Sequence, residues 1–263
     1  PVGLQRNDWK PPKMRPTDRT GLAIVLSLIA LSLFDAMGLV IKLLSDRYLA
    51  MELSAWRNLF GLIPSAIAVF GSRAWHAAGR PLRMRQWRLA LGRGLIVTCA
   101  QLCFYMSLGL MAFATASTIT YANALFMTAF AVPLLGEKVG WIRWGAVLIG
   151  FAGVVLVMQP GTDAFSPYAL LPLCAAVFYA LVGVTARLFD EDVLSPLISL
   201  YSSVAALVAS SVIALLWGGF TPIQSWSDFG WLMAMGAFGG TAVLFLVASY
   251  RMTEQSNLAP FSY

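Results

Sequence analysis

An uncharged stretch runs from Gly94 to Leu135 and is too long for one crossing of a membrane. As a single helix it would extend about 60 Å, which is twice the thickness of the hydrocarbon core of a bilayer. The segment Gly109–Thr115 contains small residues and no charge, so a turn is best placed there. Basic residues flank the stretch, with Arg93 before it and Lys138 after it. The stretch therefore predicts a helical hairpin whose two ends return to the same face of a membrane.

The composition supports an integral membrane protein. Of the 263 residues, 59% are hydrophobic and 11% are charged, whereas a soluble domain has about a quarter charged residues. The formal net charge of +6 comes largely from cations in the N-terminal tail and in connections, which is typical of topology signals and argues against a nucleic-acid partner. The 3 cysteines lie in apolar segments without CxxC spacing, and the chain has 1 histidine. We therefore expect no disulfide, no metal site and no cofactor.

Nine apolar segments follow one another along the chain, and the first eight are each long enough to span a membrane. Helices satisfy their own backbone hydrogen bonds in lipid, and the sequence lacks the short alternating segments of a β-barrel. The predicted fold class is therefore an all-α, polytopic membrane helix bundle. A helix ending at Tyr263 would leave carbonyl groups unpaired in lipid, so we expect the natural chain to continue beyond it. The predicted segments are about Gly21–Leu43, Leu53–Gly71, Leu89–Gly109, Ala114–Leu135, Gly140–Met158, Ser166–Leu188, Ser195–Trp217, Phe229–Tyr250, and one that begins near Glu254.

The positively charged residues predict the orientation of the chain. With the N-terminal tail, residues 1–20, in the cytoplasm, the cytoplasmic stretches carry most of the Lys and Arg residues. The connections on the opposite side clearly carry only Arg47. We therefore expect a cytoplasmic N-terminus.

The chain shows a weak internal repeat. A shift of 142 positions aligns Met106–Leu108 with Ala248–Tyr250, and Leu53–Ala55 with Ser195–Leu197. Long segments also recur in the same order in both halves. An odd number of spans in each half would invert the second half relative to the first, as in many secondary transporters. We therefore predict two inverted five-helix repeats, 21–158 and an incomplete 166–263, with the tenth helix beyond the sequence shown.

Several tracts resemble a known family, and they occur in both halves of the chain. They are similar to the two EamA units of the drug/metabolite transporter superfamily, and the resemblance covers nearly the whole chain after the tail. It implies ten helices around a central cavity in a bacterial inner (plasma) membrane. Within the superfamily the chain most resembles bacterial exporters of amino acids and related metabolites, including YddG-type exporters of aromatic amino acids. The tracts are Phe104–Gly109, Ala114–Ser117, Pro133–Lys138, Ala248–Met252 and Leu258–Tyr263.

Ionisable residues inside predicted helices are the strongest candidates for a functional site. Each costs roughly 2.5 to 3.5 kcal/mol at the middle of a membrane helix and therefore faces the interior or a cavity. Asp35, Gly38 and Lys42 share one face of the first helix. They form either a cavity-lining stripe that meets the charged ends of a zwitterionic substrate, or a structural face on which Asp35 pairs with Arg57 and Lys42 extends to the membrane surface. Arg57 is also a suitable partner for Glu52 or for a carboxylate of a substrate.

Polar and aromatic residues on inner helix faces are further candidates. They offer hydroxyls, amides and rings to an organic substrate, although hydrogen bonding between helices is an equally good interpretation. For Arg93, near the cytoplasmic end of the third segment, extension to the membrane surface is the better interpretation. The predicted substrate-binding residues are Asp35, Lys42, Arg57, Gln101, Tyr105, Tyr121, Asn123 and Tyr179.

The sequence favours a transporter over an enzyme or a channel. It has no GxxxxGK[ST] nucleotide-binding loop, no HExxH motif and no filter-like repeat of acids. We predict a secondary transporter, not an enzyme, that exports small organic metabolites by alternating access, with aromatic or large neutral amino acids as the preferred substrates. Another metabolite class, such as nucleosides, sugars or drug-like compounds, is the alternative. The expected partners are the substrate, membrane lipid and protons carried by Asp35, and both a monomer and a weak homodimer fit the sequence.

Overall fold

A computed structural model describes residues 20–77, 79, 82, 84–136, 140–158, 166–190 and 193–252, and most of these residues are helical. The predicted tail and the predicted segment from Glu254 lie outside the described residues. A 3₁₀ turn, Pro167–Ala169, leads into α8. The helices are α1 (Thr20–Leu44), α2 (Ala50–Phe70), α3 (Arg73–Ala77), α4 (Trp87–Leu110), α5 (Phe113–Thr120), α6 (Asn123–Leu135), α7 (Trp141–Met158), α8 (Leu170–Thr185), α9 (Ser195–Leu216) and α10 (Trp226–Met252).

These helices confirm the predicted class of a polytopic membrane helix bundle. In the described residues, 7 segments are long and apolar enough to cross a membrane: α1, α2, α4, α5 together with α6, α8 with its 3₁₀ turn, α9 and α10. The predicted fifth segment corresponds to α7, whose apolar part, Trp144–Met158, is shorter than these. That α7 crosses the membrane therefore stays a prediction.

The predicted hairpin is present in the structure. α4 ends at Leu110, the chain turns at Met111 and Ala112, and α5 begins at Phe113. This turn lies within Gly109–Thr115, the segment that the sequence indicates. The hairpin forms because the stretch is longer than one crossing of the membrane and has no charged residue that would place part of it in water.

The second arm of the hairpin differs from the prediction, because it is two helices and not one. α5 ends at Thr120 and α6 begins at Asn123. Between them the backbone N–H of Ala122 donates to the carbonyl of Ile119, three residues back. Such tight turns interrupt the regular spacing of four residues that an α-helix needs. The break puts Tyr121 at a bend in the wall of the bundle.

The helices pack in a symmetric set of pairs. α1 packs along α10 and α4 packs along α8, while α2 and α9 pack on each other. α2 also packs on α10, and α4 packs on α9. This set of pairs stays the same when α1 is exchanged with α8, α2 with α9, and α4 with α10. This is the pattern expected of two inverted repeats. The exact division into 21–158 and 166–263 stays a prediction.

Glycines allow α2 and α10 to approach each other closely. A Cβ atom added to Gly240 would lie 2.6 Å from the carbonyl oxygen of Gly61, and one added to Gly236 would overlap the Cβ of Phe60. Helix pairs in membranes rely on such close backbone packing, because lipid chains are as apolar as the side chains they replace. The pair Gly236 and Gly240 therefore fixes one wall of the bundle.

Different contacts lie at the two ends of the bundle. We call the side where α1 begins the near side and the side where α1 ends the far side. On the far side, Arg47 forms an ion pair of 2.6 Å with Asp228 at the start of α10, and the hydroxyl of Tyr48 donates to the same carboxylate at 3.1 Å. On the near side, the hydroxyl of Tyr201 in α9 donates to the carbonyl of Leu82 at 2.8 Å.

A buried hydrophobic cluster fills the far half of the bundle. Its members come from α1, α2, α4, α5, α8 and α10 and from the connection after α1. These buried side chains pack on one another and cover the centre of the bundle from the far side. The largest members are Met37, Ile41, Leu44, Tyr48, Leu53, Phe104, Tyr105, Leu108, Leu232 and Met235.

Candidate functional site

A cavity of about 160 Å³ lies at the centre of the bundle, below the hydrophobic cluster. Every long helix except α7 contributes to its wall. Rings and thioethers make up much of the surface, and a smaller set of polar groups is spaced between them. The apolar lining includes Phe34, Met37, Phe104, Phe113 and Met127; the polar lining includes Asp35, Arg57, Arg93, Gln101, Asn123, Tyr121 and Tyr179.

The cavity spans the middle of the bundle. Ser27, Arg93 and Ser202 line it, and each lies within about two turns of the near-side end of α1, α4 or α9. On the far side the lining of α1 stops at Met37, and the next turns of this helix belong to the hydrophobic cluster. The hydrophobic cluster therefore covers the cavity on the far side.

Asp35 is the acidic residue of the cavity wall within the described part of the chain. The hydroxyl of Tyr121, at the break between α5 and α6, donates to its Oδ1 atom at 3.0 Å. The aromatic ring and the carboxylate thus come from two different helices and meet at one point of the wall. Since a carboxylate accepts several hydrogen bonds, Asp35 keeps acceptor positions for a further donor.

Arg57 lies deeper in the wall and is only 3% exposed. Its Nη1 donates to the side-chain oxygen of Asn58 at 2.8 Å, and its Nη2 donates to the carbonyl of Gly239 at 3.0 Å. The predicted ion pair with Asp35 is not formed, and neither Asp35 nor another carboxylate of the described residues forms an ion pair with Arg57. Glu52, the other acid considered, instead accepts hydrogen bonds from the backbone and hydroxyl of Thr221.

A network of amides and a hydroxyl supports Arg57 from behind. The amide of Asn58 donates to the side-chain oxygen of Gln101 at 2.9 Å, and the hydroxyl of Ser54 donates to the same oxygen at 2.7 Å. Gln101 and Arg57 also line the cavity, whereas Ser54 and Asn58 do not. The network therefore connects α2 to α4 and holds two cavity-lining groups in fixed positions.

Two of the eight predicted substrate-binding residues do not line the cavity. Lys42 lies beyond it on the far side, where its ammonium donates to the carbonyls of Leu108 and Met111 at 2.6 and 3.3 Å. Tyr105 is 2% exposed and packs in the hydrophobic cluster. Lys42 lies two turns beyond Asp35 on the same face of α1, past the end of the cavity lining. Tyr105 directly follows Phe104, which lines the cavity, but leaves α4 on a different face.

The other six predicted residues are brought together around the cavity. All six line it: Asp35, Arg57, Gln101, Tyr121, Asn123 and Tyr179. The ring of Tyr179 packs edge-on against Phe104, with ring centroids 6.4 Å apart. That any of the eight residues binds a substrate stays a prediction, because lining a cavity is different from contacting a solute.

Arg93 is a cavity residue that the sequence analysis assigned to the membrane surface. It is 3% exposed, lines the cavity, and its Nε donates to the carbonyl of Val182 in α8 at 3.3 Å. A signal was present in the sequence, because Arg93, Val97, Gln101 and Phe104 follow one another at helical spacing along α4. All four line the cavity.

Residues 21–159 match the profile of the EamA-like transporter family. The chain belongs to this family. The match begins and ends within one residue of the first repeat predicted from the sequence, 21–158, and it confirms the resemblance found there.

Relatives of this EamA-family chain are named as transporters of small molecules. The chain is 27% identical over 244 residues to the S-adenosylmethionine uptake transporter of Rickettsia prowazekii, with 91% of this chain and 78% of the relative covered. It is 24% identical over 242 residues to the pseudopaline exporter CntI of Pseudomonas aeruginosa, with 91% and 82% covered. A solved crystal structure is similar in fold over 92% of this chain and 84% of its own length, with a TM-score of 0.66 and 18% identity. The family and these names point to a multi-pass membrane transporter of small molecules and not to an enzyme.

Proposed function

We propose that this EamA-family protein is a secondary transporter that exports amino acids, with aromatic or large neutral ones as its preferred substrates. The observation that carries the proposal is the mixed wall of the cavity. An apolar surface of rings and thioethers suits a large side chain. The Asp35 carboxylate, to which the Tyr121 hydroxyl donates, has acceptor positions left for an ammonium group.

We infer alternating access from the same arrangement. The hydrophobic cluster covers the cavity on the far side, and the polar lining residues Arg93 and Ser202 lie towards the near side, so we infer that a substrate approaches from the near side in this state. If the N-terminus is cytoplasmic, as the Lys and Arg residues predict, the near side is the cytoplasmic side of the bacterial inner membrane. Loading from the cytoplasm followed by opening of the far side is export.

A second candidate substrate is suggested by one relative. The S-adenosylmethionine uptake transporter of Rickettsia prowazekii aligns with most of this chain. S-adenosylmethionine is itself an amino acid that carries an adenosine group, and aromatic side chains such as Phe104 and Tyr179 bind flat rings well. The amino-acid group of S-adenosylmethionine would bind as proposed above, and its adenosine group would fill the apolar part of the cavity. The two relatives are named for opposite directions of transport, so the direction is tested separately.

The test is flux in proteoliposomes that contain the complete protein. They are loaded in parallel with labelled aromatic, aliphatic and polar amino acids, S-adenosylmethionine, nucleosides and sugars, and protein-free liposomes serve as the blank. Selective flux of phenylalanine, tryptophan or leucine supports the proposal. Flux of S-adenosylmethionine alone favours the second candidate, and flux of nucleosides or sugars alone overturns the amino-acid assignment.

Direction is measured in intact cells and in inside-out vesicles. Cells preloaded with the substrate lose it faster when the protein is produced, if it exports. Faster accumulation in cells from the medium, with no faster loss, would overturn export while leaving the substrate assignment unchanged.

A further inference from the structure

We propose that Arg57 binds a carboxylate of the transported molecule, and that Gly239 positions the Arg57 guanidinium by having no side chain. The inference rests on the proposed function, because it assigns the second charged group of an amino-acid substrate to a particular place in the same cavity.

The charge of Arg57 requires a counter-ion that the described residues do not provide. A buried guanidinium loses its hydration and costs several kcal/mol unless a negative charge or several acceptors replace the water. Two neutral acceptors, the Asn58 side chain and the Gly239 carbonyl, use two of its five N–H groups. Because Arg57 lines the cavity, a solute that enters the cavity can supply the missing negative charge.

The opposite charge is available on a separate helix. Asp35 lines the same cavity, is bonded to Tyr121 and forms no ion pair with Arg57. Had the two residues been paired, each would have neutralised the other and neither would favour a charged solute. Held apart on α1 and α2, they suit the ammonium and the carboxylate of one zwitterion.

Gly239 leaves the space in which the guanidinium lies. A Cβ atom at this position would lie 2.6 Å from the Nε atom of Arg57 and 3.1 Å from its Nη2, and also 2.6 Å from the sulfur of Met37. Both side chains would have to move. On the other side, the hydrogen bond to Asn58 fixes Nη1, and Asn58 is itself held by Gln101. Alanine at position 239 would thus keep the positive charge but displace it.

The experiment compares ligands with and without a carboxylate. Competition by phenylalanine, phenylalaninamide and phenethylamine is measured against labelled phenylalanine in proteoliposomes, for the wild type and for Arg57→Gln, Arg57→Lys and Gly239→Ala. Hydrogen bonds to charged groups predict that the wild type prefers the acid to the amide by about tenfold to a hundredfold. We expect this ratio to fall to near one in Arg57→Gln, to be intermediate in Arg57→Lys, and to fall in Gly239→Ala although its charge is intact.

Gly230→Ala is the matched control on the same helix. Gly230 is exposed on α10 and a Cβ atom there would meet nothing within 4 Å, so the acid-to-amide ratio should equal that of the wild type. A ratio that is unchanged in Arg57→Gln, or equal competition by acid and amide in the wild type, would overturn the inference. A ratio lowered as much in Gly230→Ala as in Gly239→Ala would overturn the role of Gly239.

Ligand-induced thermal stabilisation of the purified protein separates failure of this inference from failure of the proposed function. Stabilisation by phenylalanine but not by phenylalaninamide, lost in Arg57→Gln, supports the inference even where no amino acid is transported. Equal stabilisation by both ligands with transport of amino acids overturns only the role of Arg57. No stabilisation by either ligand together with no transport overturns both, and the unfolding temperature of each variant without ligand shows whether it is folded.

Discussion

The ammonium of Lys42, near the end of α1, lies 2.6 Å from the carbonyl oxygen of Leu108, near the end of α4. The last carbonyls of a helix have no partner within the helix, and a cation at this end also interacts favourably with the helix dipole. Lys42 therefore caps α4 and fastens it to α1 at the far side of the bundle. We expect this contact to break when the far side opens.

We expect Lys42→Met to increase access from the far side. Hydrogen bonds from charged groups contribute about 1.5 to 3 kcal/mol, so their loss shifts the equilibrium towards the far-open state by about tenfold or more. The measurement uses Ser117→Cys in a variant that lacks Cys99, Cys103 and Cys174, because Ser117 lines the cavity. A membrane-impermeant maleimide added from the far side should label this cysteine faster in Lys42→Met. Lys42→Arg, which keeps the charge, is the control. Equal labelling rates for Lys42→Met and for the protein that retains Lys42 would contradict the capping role.

We expect Asp35→Asn to lower transport of a zwitterionic substrate by at least about tenfold, because an amide cannot neutralise an ammonium group. The charged groups of the described cavity wall are Asp35, Arg57 and Arg93, and the Tyr121 hydroxyl is bonded to Asp35. If Asp35 also carries the proton, the remaining flux of the variant no longer responds to a pH gradient. Flux is measured with and without an imposed gradient, and a response equal to that of the wild type would exclude Asp35 as the coupling residue.

Tyr121→Phe should have a smaller effect than Asp35→Asn. The substitution removes one hydrogen bond of 3.0 Å but keeps the ring and the charge of Asp35. A hydrogen bond to a charged group contributes about 1.5 to 3 kcal/mol, and only part of this should affect substrate binding because the charge of Asp35 is retained, so we expect KM to rise by about two- to tenfold with little change in maximal rate. Thr118→Val, at an exposed site on the same helix, is the control. A loss as large as that of Asp35→Asn would mean that Tyr121 has a role of its own.

Gly240→Ala should destabilise the bundle without changing which substrates are preferred. The added methyl group would lie 2.6 Å from the carbonyl oxygen and 2.8 Å from the Cα of Gly61, both of them backbone atoms that cannot rotate away. Overpacking of this kind costs about 1 to 3 kcal/mol, so the unfolding temperature in detergent should fall by several degrees. Gly92→Ala, with nothing within 4 Å of its Cβ position, should leave it unchanged. Equal unfolding temperatures for the two variants would contradict close packing of α2 on α10.

Much of the fold could be predicted because it depends on local properties of the chain. The length of the uncharged stretch from Gly94 to Leu135 requires two crossings, and the turn follows at Met111 and Ala112. The break after Thr120 could not be predicted in the same way. Residues 118–125 contain no proline or glycine, which are the usual sequence signals of a kink in a helix.

The candidate site was predictable only in part. Helical spacing correctly puts Asp35, Gly38 and Lys42 on one face, and this face meets the hairpin along its length: Asp35 contacts Tyr121, Gly38 packs against Phe113, and Lys42 caps α4. Spacing does not say how far along that face a cavity extends. Of these three residues, Asp35 lines the cavity, whereas Lys42 lies beyond its end.

The sequence by itself determined that this protein is a membrane bundle of the EamA-like transporter family, with charged and polar residues facing inward, because hydrophobic length and helical spacing are properties of each segment alone. Only the tertiary structure decided that Arg57 is bonded to Gly239 and not to Asp35, and that Arg93 lines a cavity. The physical reason is that a side chain inside a bundle takes its partners from other helices. Which helix packs opposite, and at what height, depends on the packing of the whole bundle and not on the segment that carries the residue.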